Sequence, residues 1–257
     1  MRPLARVAAV LVSCAGLALV GTAATAAPVV DHAMGSQIVK HEGVATGFAA
    51  PAAQAAVEGV DVSSHQGNVA WSTYWGQGKR FAYVKATEST SYKNPYFAQQ
   101  YNGSYNVGMI RGAYHFALPD KSSGATQADY FVDNGGGWSR DGKTLPGALD
   151  MEYNPYGATC YGLGKTAMTA WIKAFSDRYR ARTGRWPVIY TSTNWWNQCV
   201  SGDFSSTNPL WVARYSSSVG TLPYRWNVHT FWQYTSSPID QNRFNGAQDR
   251  LKALADG

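Results

Sequence analysis

The chain has 257 residues, a formal net charge of +6, and 14% aromatic against only 15% charged residues. The basic excess includes no Lys/Arg run and no basic helix, so we expect no nucleic-acid partner. Ten Trp and sixteen Tyr suit a ligand that stacks on rings, such as a sugar with its apolar face and polar rim.

The first 26 residues predict a secretory signal. They contain Arg2 and Arg6, then an apolar stretch over 7–20 and an A-x-A pattern at 24–26. We expect cleavage after Ala26 and a secreted, extracellular protein; an uncleaved membrane anchor is the alternative. No other segment approaches the ~20 apolar residues of a spanning helix, so we expect no membrane insertion of the mature chain.

Removal of the signal reduces the basic count. Loss of Arg2 and Arg6 takes Lys plus Arg from 22 to 20 against 16 Asp plus Glu, which leaves +4. That charge would favour encounter with an anionic surface such as a bacterial wall. A solvated surface without an electrostatic role explains it more simply.

Two further segments follow the signal. Residues 27–56 are rich in small residues and show little amphipathic periodicity after Val39, which predicts a propeptide or flexible leader outside the main fold. Residues 57–257 have an even composition without a linker or repeat, which predicts one catalytic domain of about 200 residues.

The three cysteines indicate one disulfide. Cys14 lies in the signal, so Cys160 and Cys199 remain and should pair in an oxidising compartment. Two free buried thiols or a metal pair are the alternatives, but two cysteines without a nearby His cluster do not build a zinc site. We expect no metal and no cofactor.

Short apolar runs alternate with polar or helical stretches along the domain. The clearest helix covers Lys165–Arg182, where apolar residues recur at helical spacing before Gly184, and a second covers Thr126–Val132. The predicted strands are Gly59–Val62, Phe81–Lys85, Ile110–Phe116, Leu145–Met151, Pro187–Thr191, Leu210–Ala213 and His229–Tyr234. This alternation predicts an α/β fold, an irregular barrel whose reactive residues lie at the carboxyl ends of the strands.

Polar side chains occur at those strand ends. They are Asp61, Lys85, Glu88, His115, Asp150, Glu152, Tyr190, Gln233 and Tyr234. Asp150 and Glu152 are two residues apart, so on a strand both would project to one face with about 6.6–6.8 Å between their backbones. This is the arrangement of a carboxylate pair for glycoside cleavage. A strand that ends in solvated, helix-capping acids is the alternative interpretation.

Eight motifs occur in order across residues 59–246. They are GVDVSSHQG at 59–67, VKATES at 84–89, GAYHFA at 112–117, LDME at 149–152, PVIYT at 187–191, LWVAR at 210–214, FWQYT at 231–235 and IDQNRFNG at 239–246. Together they resemble the family-25 glycoside hydrolases, the Chalaropsis-type lysozymes.

The resemblance implies a secreted muramidase that cleaves the β-1,4 bond between N-acetylmuramic acid and N-acetylglucosamine in bacterial peptidoglycan. It implies a single irregular β/α barrel with fewer helices than strands, and a monomer is the default for such an enzyme. By the same likeness Glu152 is the general acid, Asp150 is its partner carboxylate, and Asp61 and Asp240 complete an acidic cluster.

The resemblance also implies a sugar-contacting wall. Its matching positions are Tyr114, Tyr190, Trp211 and Gln233, each of which could instead pack the barrel. Lys85 and Glu88 are expected to form an ion pair at the strand end. His65 and His115 are expected to make hydrogen bonds, because two carboxylates suffice for the reaction.

Several alternatives remain open from the residues alone. Asp150 would either attack the anomeric carbon or orient the substrate's N-acetyl group; both routes retain configuration, whereas a water between more distant acids inverts it. A family-18 chitinase would have an Asp where Ala148 stands. A non-catalytic glycan-binding barrel would have lost clustered acids that are costly without a function, and no motif supports a nuclease or protease.

Overall fold

The computed structural model describes residues 31–44 and 56–257. The predicted signal over 1–26 therefore lies outside the described residues. Within the described residues the chain forms seven α-helices and nine β-strands. None of the helices in these two ranges is long and apolar enough to cross a bilayer.

Eight of the strands close into a barrel. Counted around it, β1 is followed by β9, β8, β7, β6, β5, β4 and β2, which pairs again with β1, while β3 adds to the outer edge of β2. The strands are β1 Val57–Val62, β2 Phe81–Glu88, β3 Tyr92–Lys93, β4 Ile110–Phe116, β5 Ala148–Asp150, β6 Val188–Ser192, β7 Leu210–Ala213, β8 Phe231–Thr235 and β9 Gln241–Phe244. All neighbours in the barrel are parallel except β9, which runs antiparallel to β1 and β8.

Helices cover the barrel unevenly. They are α1 Ser36–Glu42, α2 Trp71–Gly76, α3 Phe97–Asn106, α4 Gly124–Phe131, α5 Lys165–Thr183, α6 Thr193–Cys199 and α7 Gln248–Asp256. The chain passes from β7 to β8 without a helix, and a single turn of 3₁₀-helix follows β1. The predicted irregular barrel with fewer helices than strands is confirmed.

The long helix α5 follows directly from its sequence. Met168, Trp171, Ile172, Phe175 and Tyr179 recur at intervals of three and four residues and are all buried. The helix ends at Thr183 and is capped by Gly184, whose φ of 77° is a left-handed conformation that costs glycine least. The predicted end at Arg182 is one residue early.

Two differences from the predicted strands have plain causes. β5 is only Ala148–Asp150, not 145–151, because Pro146 carries no backbone N–H for a parallel neighbour. β9 was not predicted, since Gln241-Asn242-Arg243-Phe244 lacks the apolar alternation that marks a strand. It nevertheless closes the barrel, because the edges of β1 and β8 leave their backbone groups open for pairing.

Aromatic rings fill the lower interior of the barrel. Tyr83 on β2 lies 4.7 Å from Trp211 on β7 and meets Phe231 on β8 edge-on at 5.6 Å, between ring centroids. Phe81 lies 5.2 Å from the same Phe231. This layer makes the barrel a packed core with no open channel, so its polar chemistry is confined to the end of the barrel above it.

The leader contributes a folded piece to the structure. Residues 31–44, here called the leader segment, include α1 and lie against the carboxyl end of the barrel. Met34 and Ile38 are each only 1% exposed and belong to the main core. The expectation that the leader lies outside the main fold is therefore wrong for these residues, because two apolar side chains find a buried surface there.

Candidate active site

Four carboxyl groups meet at the carboxyl ends of the barrel strands. Asp61 lies near the end of β1, Asp150 ends β5, Glu152 follows it by two residues, and Asp240 lies in the turn between β8 and β9. The four are called the acid cluster below. The predicted end of the barrel is thus where the structure brings these side chains together.

Asp150 and Glu152 are completely buried. Among the described residues no N–H or hydroxyl group donates to either carboxyl oxygen of Asp150, which lies beside the carboxyl group of Glu152. Burial, followed by the charge of Glu152, raises the pKa of Asp150 well above its ordinary value. A carboxylate left without donors and beside another acid is costly, which is the electrostatic signature of a functional position.

Glu152 is held by the leader segment. Its Oε1 accepts from the backbone N–H of Gly35 at 2.7 Å, and its Oε2 accepts from Gln37 at 2.8 Å and Ile38 at 3.0 Å. Burial raises the pKa of Glu152 to about 8, and these three amides pull it in the opposite direction. The surroundings of this one group therefore set the balance between a proton donor and a carboxylate.

Asp61 has two amide donors. Its Oδ2 accepts from Gln233 Nε2 at 2.8 Å and from Asn242 Nδ2 at 2.7 Å. Burial nevertheless raises the pKa of Asp61 to about 7. The nearby Asp240 keeps part of its surface exposed, and desolvation together with the charges of Asp61 and Glu152 raises the pKa of its carboxyl.

Three aromatic side chains of the barrel interior orient the amides of Gln233 and Asn242. Tyr190 and Tyr215 each donate a hydroxyl to Gln233 Oε1 at 2.6 Å, which leaves the amide nitrogen of Gln233 facing Asp61. Trp211 Nε1 donates at 2.9 Å to Asn242 Oδ1, which likewise turns the amide nitrogen of Asn242 toward the acid. Both amides are thus fixed by their second partner.

The four residues predicted to contact sugar are all fully buried. Tyr114 accepts at its hydroxyl from the backbone N–H of Met34 at 3.2 Å, and Tyr190 and Gln233 belong to the network below Asp61. Trp211 packs against Tyr83 and donates to Asn242. The contact of these side chains with substrate stays a prediction.

Sequence reasoning missed several residues of this network. Asn242 stands inside the motif at 239–246 and Tyr215 follows the motif at 210–214, but neither carried a signal beyond its place near a motif. An amide or hydroxyl that orients another side chain has no spacing rule of its own. Tertiary pairing of β8 with β9 alone brings Gln233 and Asn242 to one carboxylate.

A second group of buried charges lies beside the acid cluster. Lys85 Nζ contacts Glu88 Oε2 at 2.6 Å, Asp31 Oδ1 at 2.5 Å and the carbonyl oxygen of His32 at 2.5 Å. Lys85, Glu88 and Asp31 are called the lysine cluster. The predicted ion pair of Lys85 with Glu88 is confirmed, and Asp31 from the leader segment is an additional partner.

The two histidines have hydrogen-bonding roles, as predicted. His115 is fully buried between Thr87 Oγ1 at 2.7 Å and Gln127 Oε1 at 2.9 Å. Burial lowers the pKa of His115 to about 4, so the ring is neutral at ordinary pH. His65 Nδ1 lies 2.9 Å from Ser63 Oγ on the turn after β1.

The cleft continues past the leader segment as an open cavity of about 710 Å³. Its walls include Tyr153, Asn194, Arg214, Tyr215 and Thr221, all beyond the ends of β5, β6 and β7. A cavity of this volume falls in the range of small-ligand sites. It lies on the same end of the barrel as the acid cluster.

The predicted disulfide is present between Cys160 and Cys199, with 5.5 Å between their Cα atoms. It ties the loop after β5 to the end of α6. Both of these segments follow strands whose ends form the cleft. The bridge thus joins two walls of the same region.

Clustered carboxyl groups with raised pKa values, at the carboxyl end of a β/α barrel, are typical of one class of protein, the glycoside hydrolases, which use a carboxylic acid and a carboxylate. Comparison with known sequences agrees with this class. Residues 60–242 match the pattern of the glycosyl hydrolases family 25. The chain therefore belongs to glycosyl hydrolase family 25.

Individual relatives are similar over most of the chain. It is 51% identical over 215 residues to Lysozyme M1 of Streptomyces globisporus, covering 80% of this chain and 73% of that protein. It is 49% identical over 210 residues to the N,O-diacetylmuramidase of Chalaropsis sp, covering 78% of this chain and all of that one. A solved muramidase from Acremonium alcalophilum is 55% identical and superposes with a TM-score of 0.77, covering 78% of this chain and 99% of that one.

The share of the chain that aligns with a solved relative equals the share that holds the barrel. Residues 57–257 contain all nine strands, the disulfide and six of the seven helices within the described residues. They make up 78% of the 257 residues, the same share that aligns with the Acremonium muramidase over 99% of its length. A chain that begins at Val57 therefore keeps the whole barrel without the leader, and it serves below as the leader-free protein.

Proposed function

We propose that this protein is a secreted muramidase that hydrolyses the β-1,4 bond between N-acetylmuramic acid and N-acetylglucosamine in bacterial peptidoglycan. The observation that carries the proposal is the acid cluster at the cleft of a family-25 barrel. The names of its relatives, lysozyme and muramidase, support the substrate. The predicted signal supports secretion.

Glu152 is proposed as the general acid. Cleavage requires a proton on the leaving glycosidic oxygen, and a carboxyl whose pKa lies near the working pH supplies it most effectively. Burial raises the pKa of Glu152 to about 8, so its surroundings favour the protonated form at neutral pH. The amide contacts that oppose this come from the leader segment, which does not belong to the barrel.

Asp150 is proposed as the partner carboxylate that faces the oxocarbenium-like centre. No N–H or hydroxyl group among the described residues donates to either of its oxygens, so both are available to a sugar, to its N-acetyl nitrogen or to the anomeric carbon. Development of positive charge on the substrate would favour ionised Asp150, since an opposite charge lowers a carboxyl pKa. Both roles open to Asp150 predict retention of configuration.

Asp61 and Asp240 are proposed to complete the acid cluster, whose crowded, buried carboxyl groups resist full ionisation. Asp61 is oriented by Gln233 and Asn242, and its backbone N–H donates to the carbonyl oxygen of Asp240 at 3.3 Å. Like charges so placed favour one shared proton within the cluster over full ionisation. Glu152 would then hold that proton when substrate is bound.

The test is digestion of purified peptidoglycan by the chain that begins at Val57. Released fragments are reduced with borohydride and identified by mass spectrometry. We expect reduced muramic-acid ends from the parent enzyme, none above background from Glu152→Gln, and normal release from Asp177→Asn, which changes an exposed acid. Comparison of O-acetylated with chemically de-O-acetylated peptidoglycan tests whether the N,O-diacetylmuramidase name of a relative also describes this enzyme.

Two results would contradict the proposal. Ends at N-acetylglucosamine would assign a different bond, and undiminished release by Glu152→Gln would assign the acid elsewhere. The anomer first released, measured by NMR before mutarotation, separates retention from inversion. An inverted product would require a water between the acids and would remove both roles proposed for Asp150.

A further inference from the structure

The leader segment contacts Glu152 more closely than any part of the barrel does among the described residues. Three backbone amides at the start of α1, those of Gly35, Gln37 and Ile38, donate to the two oxygens of Glu152 at 2.7–3.0 Å. These donors occupy the positions from which a substrate oxygen would receive a proton. With both of its oxygens accepting N–H groups from the segment, Glu152 is closed to a substrate oxygen in those directions.

The segment also fills the space above the acid cluster. Met34 and Ile38 are 1% exposed, and the backbone N–H of Met34 donates to Tyr114 Oη. A Cβ atom placed on Gly35 would lie 2.0 Å from Tyr215 Oη and 2.6 Å from Tyr190 Oη. The backbone thus approaches the floor of the cleft as closely as only a glycine permits, and no sugar ring fits between them.

Charged contacts hold both ends of the segment. At one end Asp31 pairs with buried Lys85 at 2.5 Å, and His32 Nδ1 lies 3.0 Å from Glu88 Oε1. At the other end Glu42 accepts from Asn194 Nδ2 at 2.9 Å and Tyr153 Oη at 3.0 Å, and also from Ser192 Oγ. The partners lie on β2, after β5, at the end of β6 and at the start of α6, so the segment spans the width of the cleft.

We propose that residues 31–44 are an intramolecular inhibitor that occupies the active cleft and keeps the chain latent until the leader is removed. As far as it concerns loss of activity, this inference rests on the function proposed above. The inhibition has two parts, since the segment excludes the glycan chain and its three amides occupy both oxygens of Glu152. Because inhibitor and enzyme share one chain, the contact forms at high effective concentration.

The decisive variant is Gly35→Ala in the chain that begins at Ala27. The added methyl group meets tyrosine hydroxyls that are themselves fixed by hydrogen bonds to Gln233, so the segment must move out. Gly43→Ala is the matched control. Gly43 has a similar φ, 74° against 77°, but a Cβ there would meet nothing within 4 Å.

Two measurements are made on each protein. Hydrogen exchange followed by mass spectrometry reports protection of the amides over residues 35–38, and peptidoglycan hydrolysis reports access to the cleft. We expect protection in the parent chain and in Gly43→Ala, and exchange at the unprotected rate in Gly35→Ala. If one molecule in ten has an open cleft, the parent and Gly43→Ala hydrolyse about tenfold more slowly than Gly35→Ala.

The chain beginning at Val57 supplies the uninhibited rate, which Gly35→Ala should approach. The inference is overturned if the amides over 35–38 exchange freely in the parent chain, or if the parent hydrolyses as fast as the chain from Val57. Failure of the proposed function gives a different pattern, namely no muramic-acid ends from the chain that begins at Val57. In that case the exchange data still decide whether the segment occupies the cleft.

Discussion

Two clusters of buried carboxyl groups lie side by side at one end of this barrel, and their surroundings act on them in opposite directions. In the acid cluster burial raises the pKa of every member, and the charges of neighbouring acids add to this at Asp150 and Asp240. In the lysine cluster burial acts in the same way, but Lys85 and hydrogen-bonding partners outweigh it and lower the pKa values of Asp31 and Glu88.

The difference shows that burial alone does not assign a role to a carboxyl group. Glu88 and Glu152 are both almost fully buried, at 2% and 0% exposure. Glu88 faces a lysine and stays ionised, which suits a fixed structural anion. Glu152 has no cationic partner among the described residues, and its raised pKa suits the proton transfer proposed for it.

The sharpest test of this comparison replaces one glutamate by glutamine in each cluster, which removes the carboxyl charge and keeps the shape of the side chain. Glu152→Gln should reduce peptidoglycan hydrolysis by about 10²–10⁴-fold, the usual contribution of a general acid, and leave the fold stable. Glu88→Gln should leave the rate nearly unchanged and lower the thermal midpoint, because Lys85 loses a buried counterion. Rates and midpoints are measured on the chain from Val57. A large rate loss in Glu88→Gln would mean that the lysine cluster also takes part in the reaction.

Removal of the cation should have the next largest effect. Lys85→Met leaves Glu88 and Asp31 buried without their partner, which should cost about 3–5 kcal/mol of unfolding free energy. Denaturant unfolding of the chain from Ala27 measures this. Lys93→Met, at an exposed lysine on β3, is the control and should change stability by less than about 0.5 kcal/mol.

Neutralising a member of the acid cluster should have the opposite effect on stability. Asp150→Asn removes a group whose folded pKa is raised, so the folded parent binds a proton that the unfolded chain releases. That stabilisation is fully present below the unfolded pKa near 4 and is lost as pH rises through the folded value. The charges that act on Asp150 are those of Glu152, Lys85 and Asp61.

The variant should therefore gain stability relative to the parent as pH rises from 4 to 8. A gain of about 1 kcal/mol would raise the thermal midpoint by about 2–4 °C for a domain of this size. Calorimetry of the chain from Ala27 at pH 4, 6 and 8 measures the difference. A difference that does not vary with pH would mean that Asp150 titrates alike in the folded and unfolded states.

The smallest effect on stability and rate is expected from the tyrosine hydroxyls that orient Gln233 below the acid cluster. Tyr190→Phe removes one of two hydroxyl donors to Gln233 Oε1, which should cost about 0.5–1.5 kcal/mol of stability. The remaining donor, Tyr215, should keep Gln233 facing Asp61, so hydrolysis should fall only modestly. Tyr190→Phe/Tyr215→Phe should lose more rate than the two single variants combined if the hydroxyls act through Gln233.

Much of the fold was predictable because many of its elements follow from local hydrophobic patterns. β4 and β7 occur where alternating apolar runs predicted them, and α5 follows its helical spacing to within one residue. β9 was not predictable in this way, since its polar sequence becomes a strand only through the open edges of β1 and β8. The short helices α2, α3, α6 and α7 lack a long enough periodic stretch to stand out.

The acid cluster could also be predicted from the sequence. Its members follow apolar runs that predict strands, or lie within motifs that are specific to the family. Its hydrogen-bond network could not be predicted in this way. Asn242 and Tyr215 act through other side chains, and only the pairing of β8 with β9 brings Asn242 and Gln233 to Asp61.

By itself the sequence determined the family, the barrel, the end of the barrel at which chemistry is located and the pairing of Cys160 with Cys199, since each depends on short-range patterns or on a count. Only the tertiary structure decided which buried carboxyls keep a proton, because that depends on distances between groups far apart in the chain. It also decided the place of the leader segment, whose weak periodicity concealed two buried side chains and three amides directed at Glu152.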